Sequence, residues 1–207
     1  MKKLQTVLMF VLAIAIATPC AFAQSARQIR KTAKKDAKVL RKEGWKTVPG
    51  DPSMTAQLEE SYRLQNQKDK EGYGKYLDGR AMTTAGSFDA AILQAENLAK
   101  LQIAGKMETR MAAIINTKVA NEQLGEKDAA TLVKTVATSK NLIAQRLGQV
   151  ITPVKIYREL PNGNTEVTIV TYYSQEMAAK IAKKAMKESL EKDADKLADE
   201  IDKLFGL

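Results

Sequence analysis

The 207-residue chain contains no histidine and a single cysteine, Cys20. Without histidine there is no Ser-His-Asp or Cys-His nucleophile, no imidazole acid–base catalyst and no histidine-ligated zinc. Cys20 lies in a segment that reads as a leader, so loss of that segment leaves no thiol, disulfide or cysteine ligand. Aromatic residues make up 5% of the chain, with one tryptophan, Trp45. That scarcity argues against the aromatic-lined clefts in which carboxylate pairs cleave glycosides. G-x-G-x-x-G and Walker patterns are also absent, so no glycine loop is available to cradle a phosphate. The sequence leads us to expect no catalytic residue, no metal ligand and no cofactor.

The leader is the most informative segment present. Lys2 and Lys3 precede an unbroken apolar run over residues 7–17, and Ala21-Phe22-Ala23 supplies the small-x-small pattern just before Gln24. The run spans eleven positions, against the roughly 20 a membrane-crossing helix needs, so it is expected to be removed rather than retained. Cleavage after Ala23 divides the chain into a signal peptide, residues 1–23, a basic helical arm, residues 24–44, and an α+β domain, residues 45–207. The alternative is lipidation at Cys20. A bacterial lipobox carries an aliphatic residue three before the cysteine and a small residue just before it, where this chain has Ala17 and Pro19. Either route places the protein outside the cytoplasm, in the periplasm or at the outer membrane.

The formal charge of +9 is concentrated at the front. Arg27, Arg30, Lys31, Lys34, Lys35, Lys38, Arg41 and Lys42 surround a narrow stripe formed by Ile29, Ala33, Ala37 and Leu40 at helical spacing. In an exported protein such a face fits anionic lipid head groups or an acidic envelope protein. The basic stretch has no interleaved aromatics, and its compartment is wrong for nucleic acid, so nucleic acid is not expected as a partner. The plain reading is a solvated basic helix. Another pairs it with the acidic end of the chain, where Asp193, Asp195, Asp199, Glu200 and Asp202 crowd together. Lysines interleave those acids at helical spacing, unlike a calcium loop, which needs a glycine turn. Ser189 and Lys192 match Ser-x-x-Lys but lie within the same helical pattern, one turn apart.

Between these ends the sequence predicts a helix opening at Ser53, with Leu58, Tyr62 and Gln65 on one side, and a strand over residues 76–86. A long helix follows over residues 88–121, with Phe88, Ala91, Ile92, Ala95, Leu98, Ala99, Met107, Met111 and Ile115 among its apolar positions. Gly105 marks either a kink or a close approach. A helix over residues 126–147 turns Leu132, Val133, Val136, Ile143 and Leu147 inward. Strands at 150–160 and 166–173 flank Pro161-Asn162-Gly163-Asn164, a hairpin turn. One continuous helix, residues 174–205, is expected last. Its Leu190, Leu197, Ile201 and Leu204 form a helix-packing seam, a candidate surface for a homo-oligomer.

Gly79-Arg80-Ala81, the alanine ladder Ala91, Ala95 and Ala99, and the pair Val154-Lys155-Ile156-Tyr157 and Val167-Thr168-Ile169 around Gly163 resemble two kinds of envelope domain. These are small bacterial domains of the "Lpp-twenty" lipoprotein type and the similar N-terminal domain of a flagellar-assembly envelope protein. The resemblance covers about half the chain. It implies a long helix packed across a small antiparallel sheet in non-enzymatic proteins associated with the outer membrane. The combined expectation is an α+β fold with a three-stranded antiparallel sheet covered by long helices. The expected function is that of a non-catalytic, exported cell-envelope protein acting as a structural or adaptor module. A periplasmic small-ligand carrier and a carboxylate-based hydrolase of an envelope polymer stand as alternatives.

Overall fold

In chain order, the computed structural model describes residues 26–121, 124–190 and 195–205 as α1 (Ala26–Lys42), β1 (Lys46–Thr47), α2 (Met54–Gln65), β2 (Tyr76–Ala85), α3 (Phe88–Ala120), α4 (Glu126–Arg146), β3 (Ile151–Glu159), β4 (Thr165–Ser174), α5 (Gln175–Ser189) and α6 (Asp195–Phe205). The fold is α+β, as the sequence leads one to expect. The sheet has four strands rather than three, all antiparallel, in the order β1-β3-β4-β2. The additional strand is a two-residue edge, Lys46↔Tyr157 and Thr47↔Ile156. It is too short and too close to Pro49 and Pro52 to carry an alternating pattern of its own.

The β3–β4 hairpin turns where the Asn-Gly pair falls. Gly163 has φ 82°, a left-handed conformation that costs glycine no Cβ clash, and Asn162 Oδ1 accepts the Asn164 N–H at 3.1 Å. The ladder shifts register between Ile151 and Val154, around Pro153, a residue with no N–H to donate. All ten residues of β2 pair with β4, from Tyr76↔Ser174 to Ala85↔Thr165.

Helices cover both faces of the sheet. On one face lies the first half of α3, whose fully buried Ala91, Ala95 and Ala99 meet Ala81, Val167 and Ile169. Small residues allow the two backbones to approach closely, and Gly79 is the limiting case. A Cβ there would fall 2.1 Å from the Ala99 carbonyl oxygen, so no other residue fits. The close approach therefore lies at Gly79 rather than Gly105, where a Cβ would meet only the flexible end of Lys140 at 3.4 Å. On the opposite face, α1 and α2 pack Ala33, Ala37, Met54 and Leu58 with Trp45 against Val154 and Ile156. The largest core lies beyond the sheet, where the second half of α3 meets α4, α5 and α6 through Ile103, Met107, Met111, Ile115, Leu132, Val136, Ile143, Met186 and Ile201.

Several details differ from the sequence expectation. The last helix is not continuous: α5 ends at Ser189, and Leu190 has the extended angles φ −66°, ψ 139°. The buried side of α2 is Met54, Gln57, Leu58, Ser61 and Leu64, and Gln65 is exposed. On α3, Leu98 is exposed while Ile103 and Ala104 are buried, because that helix changes partners midway from the sheet to the helical core. The stripe of the basic helical arm contributes more to the core than the few large residues in it suggest: Ala33 and Ala37 are fully buried, and α1 belongs to the layer over β3.

Candidate functional site

The basic residues of α1 converge on one face because its apolar residues converge on the other. Ile29, Ala33 and Ala37 recur every four residues and are buried, with Leu40 partly buried at the end of the stripe. Alanine at the two central positions brings the helix backbone close to its neighbours. Two polar contacts fix α1 against α2. Tyr62 OH donates to Asp36 Oδ2 at 2.7 Å, and Arg41 Nη2 donates to Thr55 Oγ1 at 3.1 Å, so the two helices run antiparallel. Burial raises the Tyr62 hydroxyl far above the usual tyrosine range, and the hydrogen bond to Asp36 adds to it, so it remains a donor at any physiological pH. At the end of α1, Arg158 lies 4.6 Å from the Trp45 ring centre and also binds Glu166 at 2.5 Å.

With that underside held, Arg27, Arg30, Lys31, Lys34, Lys35, Lys38, Arg41 and Lys42 are all exposed. Among the described residues none of the eight forms an ion pair. The single acid within α1, Asp36, is engaged by Tyr62. The helix rises over about 25 Å, so the cations line a ridge of that length. They also act against the helix itself. Arg27–Lys31, Arg30–Lys34, Lys31–Lys35, Lys34–Lys38 and Lys38–Lys42 are like charges four residues apart, each a few tenths of a kcal/mol unfavourable. Arg27 stands in the first turn, where the helix dipole favours an acid and none is present. Helices α3, α4 and α5 place Asp89, Glu126 with Asp128, and Glu176 there.

The other residues singled out from sequence fall in different places. Ala21, Ala23 and Gln24, with Cys20, lie outside the described residues. The seam residues Leu190, Leu197, Ile201 and Leu204 all contact the helical core of their own chain, and Ile201 is fully buried there. Of the acids near the end, Asp202 takes Lys183 at 3.1 Å and Lys187 at 2.6 Å, both from α5 rather than from α1. Ser189 Oγ donates to the Ala185 carbonyl, and Lys192 lies outside the described residues. Among the described residues no group of three or more acidic or thiol side chains is placed to hold a metal ion.

Some polar features do not follow from the sequence pattern. Ser61 Oγ and Tyr172 OH lie 3.0 Å apart where α2 meets β4, and Gln57 Oε1 accepts the Lys155 N–H at 2.9 Å. At the outer edge of the sheet, Gln102 Oε1 accepts the Arg80 N–H at 2.9 Å, and Lys106 reaches round to bind Asp78. Burial works to raise the Asp78 carboxyl, but the ammonium of Lys106 and the guanidinium of Arg80 outweigh it and hold the group below the usual range. A single acid within a basic helix was the one available hint to the Asp36 tether. At the end of the sheet where β2 starts and β4 finishes, a cleft of about 790 Å³ opens between the loop after α2, the middle of α3 and the start of α5.

Comparison with protein-family models, with curated proteins and with solved structures finds no match to this chain.

Proposed function

We propose that this protein is an exported, non-catalytic cell-envelope protein that docks on anionic lipid head groups through α1. The observation that carries this reading is the ridge of eight exposed cations, none of them ion-paired among the described residues, retained against the helix's own electrostatic preferences. Anionic lipid offers a dense, flat array of charge, and each basic residue near such a surface contributes about 1 kcal/mol. The apolar stripe of α1 is already spent on α2 and the sheet, so binding is peripheral rather than insertive. Among the described residues no helix is long and apolar enough to cross a membrane. The signal-peptide pattern read over residues 1–23 and the absence of histidine from the sequence support the non-catalytic envelope reading.

Co-sedimentation with vesicles tests the reading. Binding is expected to vesicles containing phosphatidylglycerol but not to purely zwitterionic ones, and to fall steeply as salt shortens the Debye length from about 10 Å at 0.1 M toward 3 Å at 1 M. Binding to both kinds of vesicle alike, or binding indifferent to salt, would rule it out. Specific retention by an envelope protein in the absence of lipid would favour the adaptor reading instead.

A further inference from the structure

The cleft at the start of β2 combines an apolar floor with a rim whose cations form no ion pair among the described residues. Its volume, about 790 Å³, falls within the roughly 300–1,000 Å³ range of small-molecule sites. The floor presents Ile114 from α3 and Leu204 from α6, both partly buried, over the buried Met107 and Met111. Around the mouth stand Lys68 and Lys70 on the loop after α2 and Arg110 on α3, all exposed and, among the described residues, without an ion pair.

The carboxylates at the rim are largely engaged. Asp69 Oδ1 accepts the backbone N–H groups of Glu71 at 3.0 Å and Tyr73 at 2.8 Å, which folds the loop into its turn. Glu176 is held by Lys180 at 2.7 Å. Glu71 forms no ion pair among the described residues, and Lys75 is a fourth exposed cation of the lining, its ammonium 5.6 Å from the Tyr76 ring centre. The Tyr73 ring, 60% exposed, stands at the mouth, and the loop beneath it is tied by the Lys68↔Gly74 bridge and by the Lys75 N–H to Gln67 carbonyl bond at 3.0 Å. An apolar floor and a rim of four cations, with two of the three rim acids engaged, favour an anionic guest with an apolar part.

We propose that this cleft binds a single-chain amphiphile with a carboxylate head group, its alkyl chain along Ile114 and Leu204 and its head between Lys68 and Arg110. The site is separate from the α1 ridge and does not depend on the function proposed for it. A guanidinium offers a carboxylate two parallel hydrogen bonds, and a partly desolvated site strengthens that pairing relative to water.

The test is a titration of the full protein with dodecanoate below its micelle threshold, followed by amide chemical shifts. Saturable shifts are expected at Tyr73, Arg110 and Ile114. Dodecyl maltoside, with the same chain and a neutral head, is expected to bind at least tenfold more weakly. In the double variant Lys68→Glu, Arg110→Glu the dodecanoate affinity should fall at least tenfold. Both residues are exposed and, among the described residues, form no ion pair; circular dichroism of the variant serves as the check that it is folded. The triple variant Lys34→Glu, Lys35→Glu, Lys38→Glu should leave dodecanoate binding unchanged. The proposal is overturned by non-saturable shifts, by equal affinity for the maltoside, by an unchanged affinity in the Lys68, Arg110 variant, or by loss of dodecanoate binding in the α1 variant.

Discussion

In α5 and α6, Lys183 and Lys187 share Asp202, and Lys180 holds Glu176 one turn away; in α1, Lys34, Lys35 and Lys38 have no carboxylate within ion-pairing distance among the described residues. Both regions are lysine-rich and helical with alanines on the inner side. They differ in where the acids were placed. Acids in α5 and α6 satisfy lysines of the same fold, so those helices serve the packing of the helical core. The one acid in α1 turns inward to Tyr62, leaving the outer face uniformly positive. The comparison teaches that lysine content alone does not distinguish the two regions, whereas the placement of the acids does: it neutralises Lys183 and Lys187 and leaves the outer face of α1 positive among the described residues.

Four measurements break or sharpen that contrast. The largest effect is expected at Ile201, fully buried in the helical core, where Ile201→Ala should lower stability by about 2–5 kcal/mol in urea unfolding. If the seam instead served a partner chain, the loss would depend on protein concentration. Next, Lys34→Glu, Lys35→Glu, Lys38→Glu should weaken binding to anionic vesicles roughly a hundredfold at about 1 kcal/mol per lysine. Its unfolding midpoint should change little, since exposed unpaired side chains contribute within about 0.5 kcal/mol each.

A smaller effect is expected from Tyr62→Phe, which removes the donor to Asp36. A hydrogen bond to a partly buried carboxylate is worth about 1–2 kcal/mol, so hydrogen exchange should quicken in α1 while α3 stays protected. Equal loosening of both helices would contradict the tether. The smallest is a pH effect at Asp78, whose folded pKa is held low by Lys106 and Arg80. The stabilisation is complete above the ordinary aspartate value, near 4, and is lost as pH falls through the lower folded value. Lys106→Gln should flatten that acid limb, and an unchanged limb would show that other carboxylates set it.

The fold was legible in the sequence wherever a period ran uninterrupted. The alanine ladder on α3, the Asn-Gly hairpin and the serine cap at Ser53 all form as their local chemistry dictates. It was illegible where two elements share a contact that neither encodes alone. Gly79 reads as a low-propensity strand residue until Ala99 is seen against it. Trp45 and the β1 edge depend on Val154 and Ile156, more than a hundred residues away. The break after Ser189 follows no proline or glycine, and the apolar spacing through Leu197 and Ile201 bridges it, so the pattern alone predicts one helix. For the candidate site, the sequence marks all eight cations of α1, but their freedom from ion pairs depends on which acids the fold brings near.

The most direct measurement compares two charge-matched variants on phosphatidylglycerol vesicles at low salt. Lys34→Glu, Lys35→Glu, Lys38→Glu reverses three cations of the ridge, and Lys127→Glu, Lys134→Glu, Lys184→Glu reverses three exposed lysines of α4 and α5. Net charge changes equally in both. The account predicts that the first loses vesicle binding and the second retains most of it. Equal loss in the two would show that total charge, rather than the unneutralised face of α1, governs the interaction.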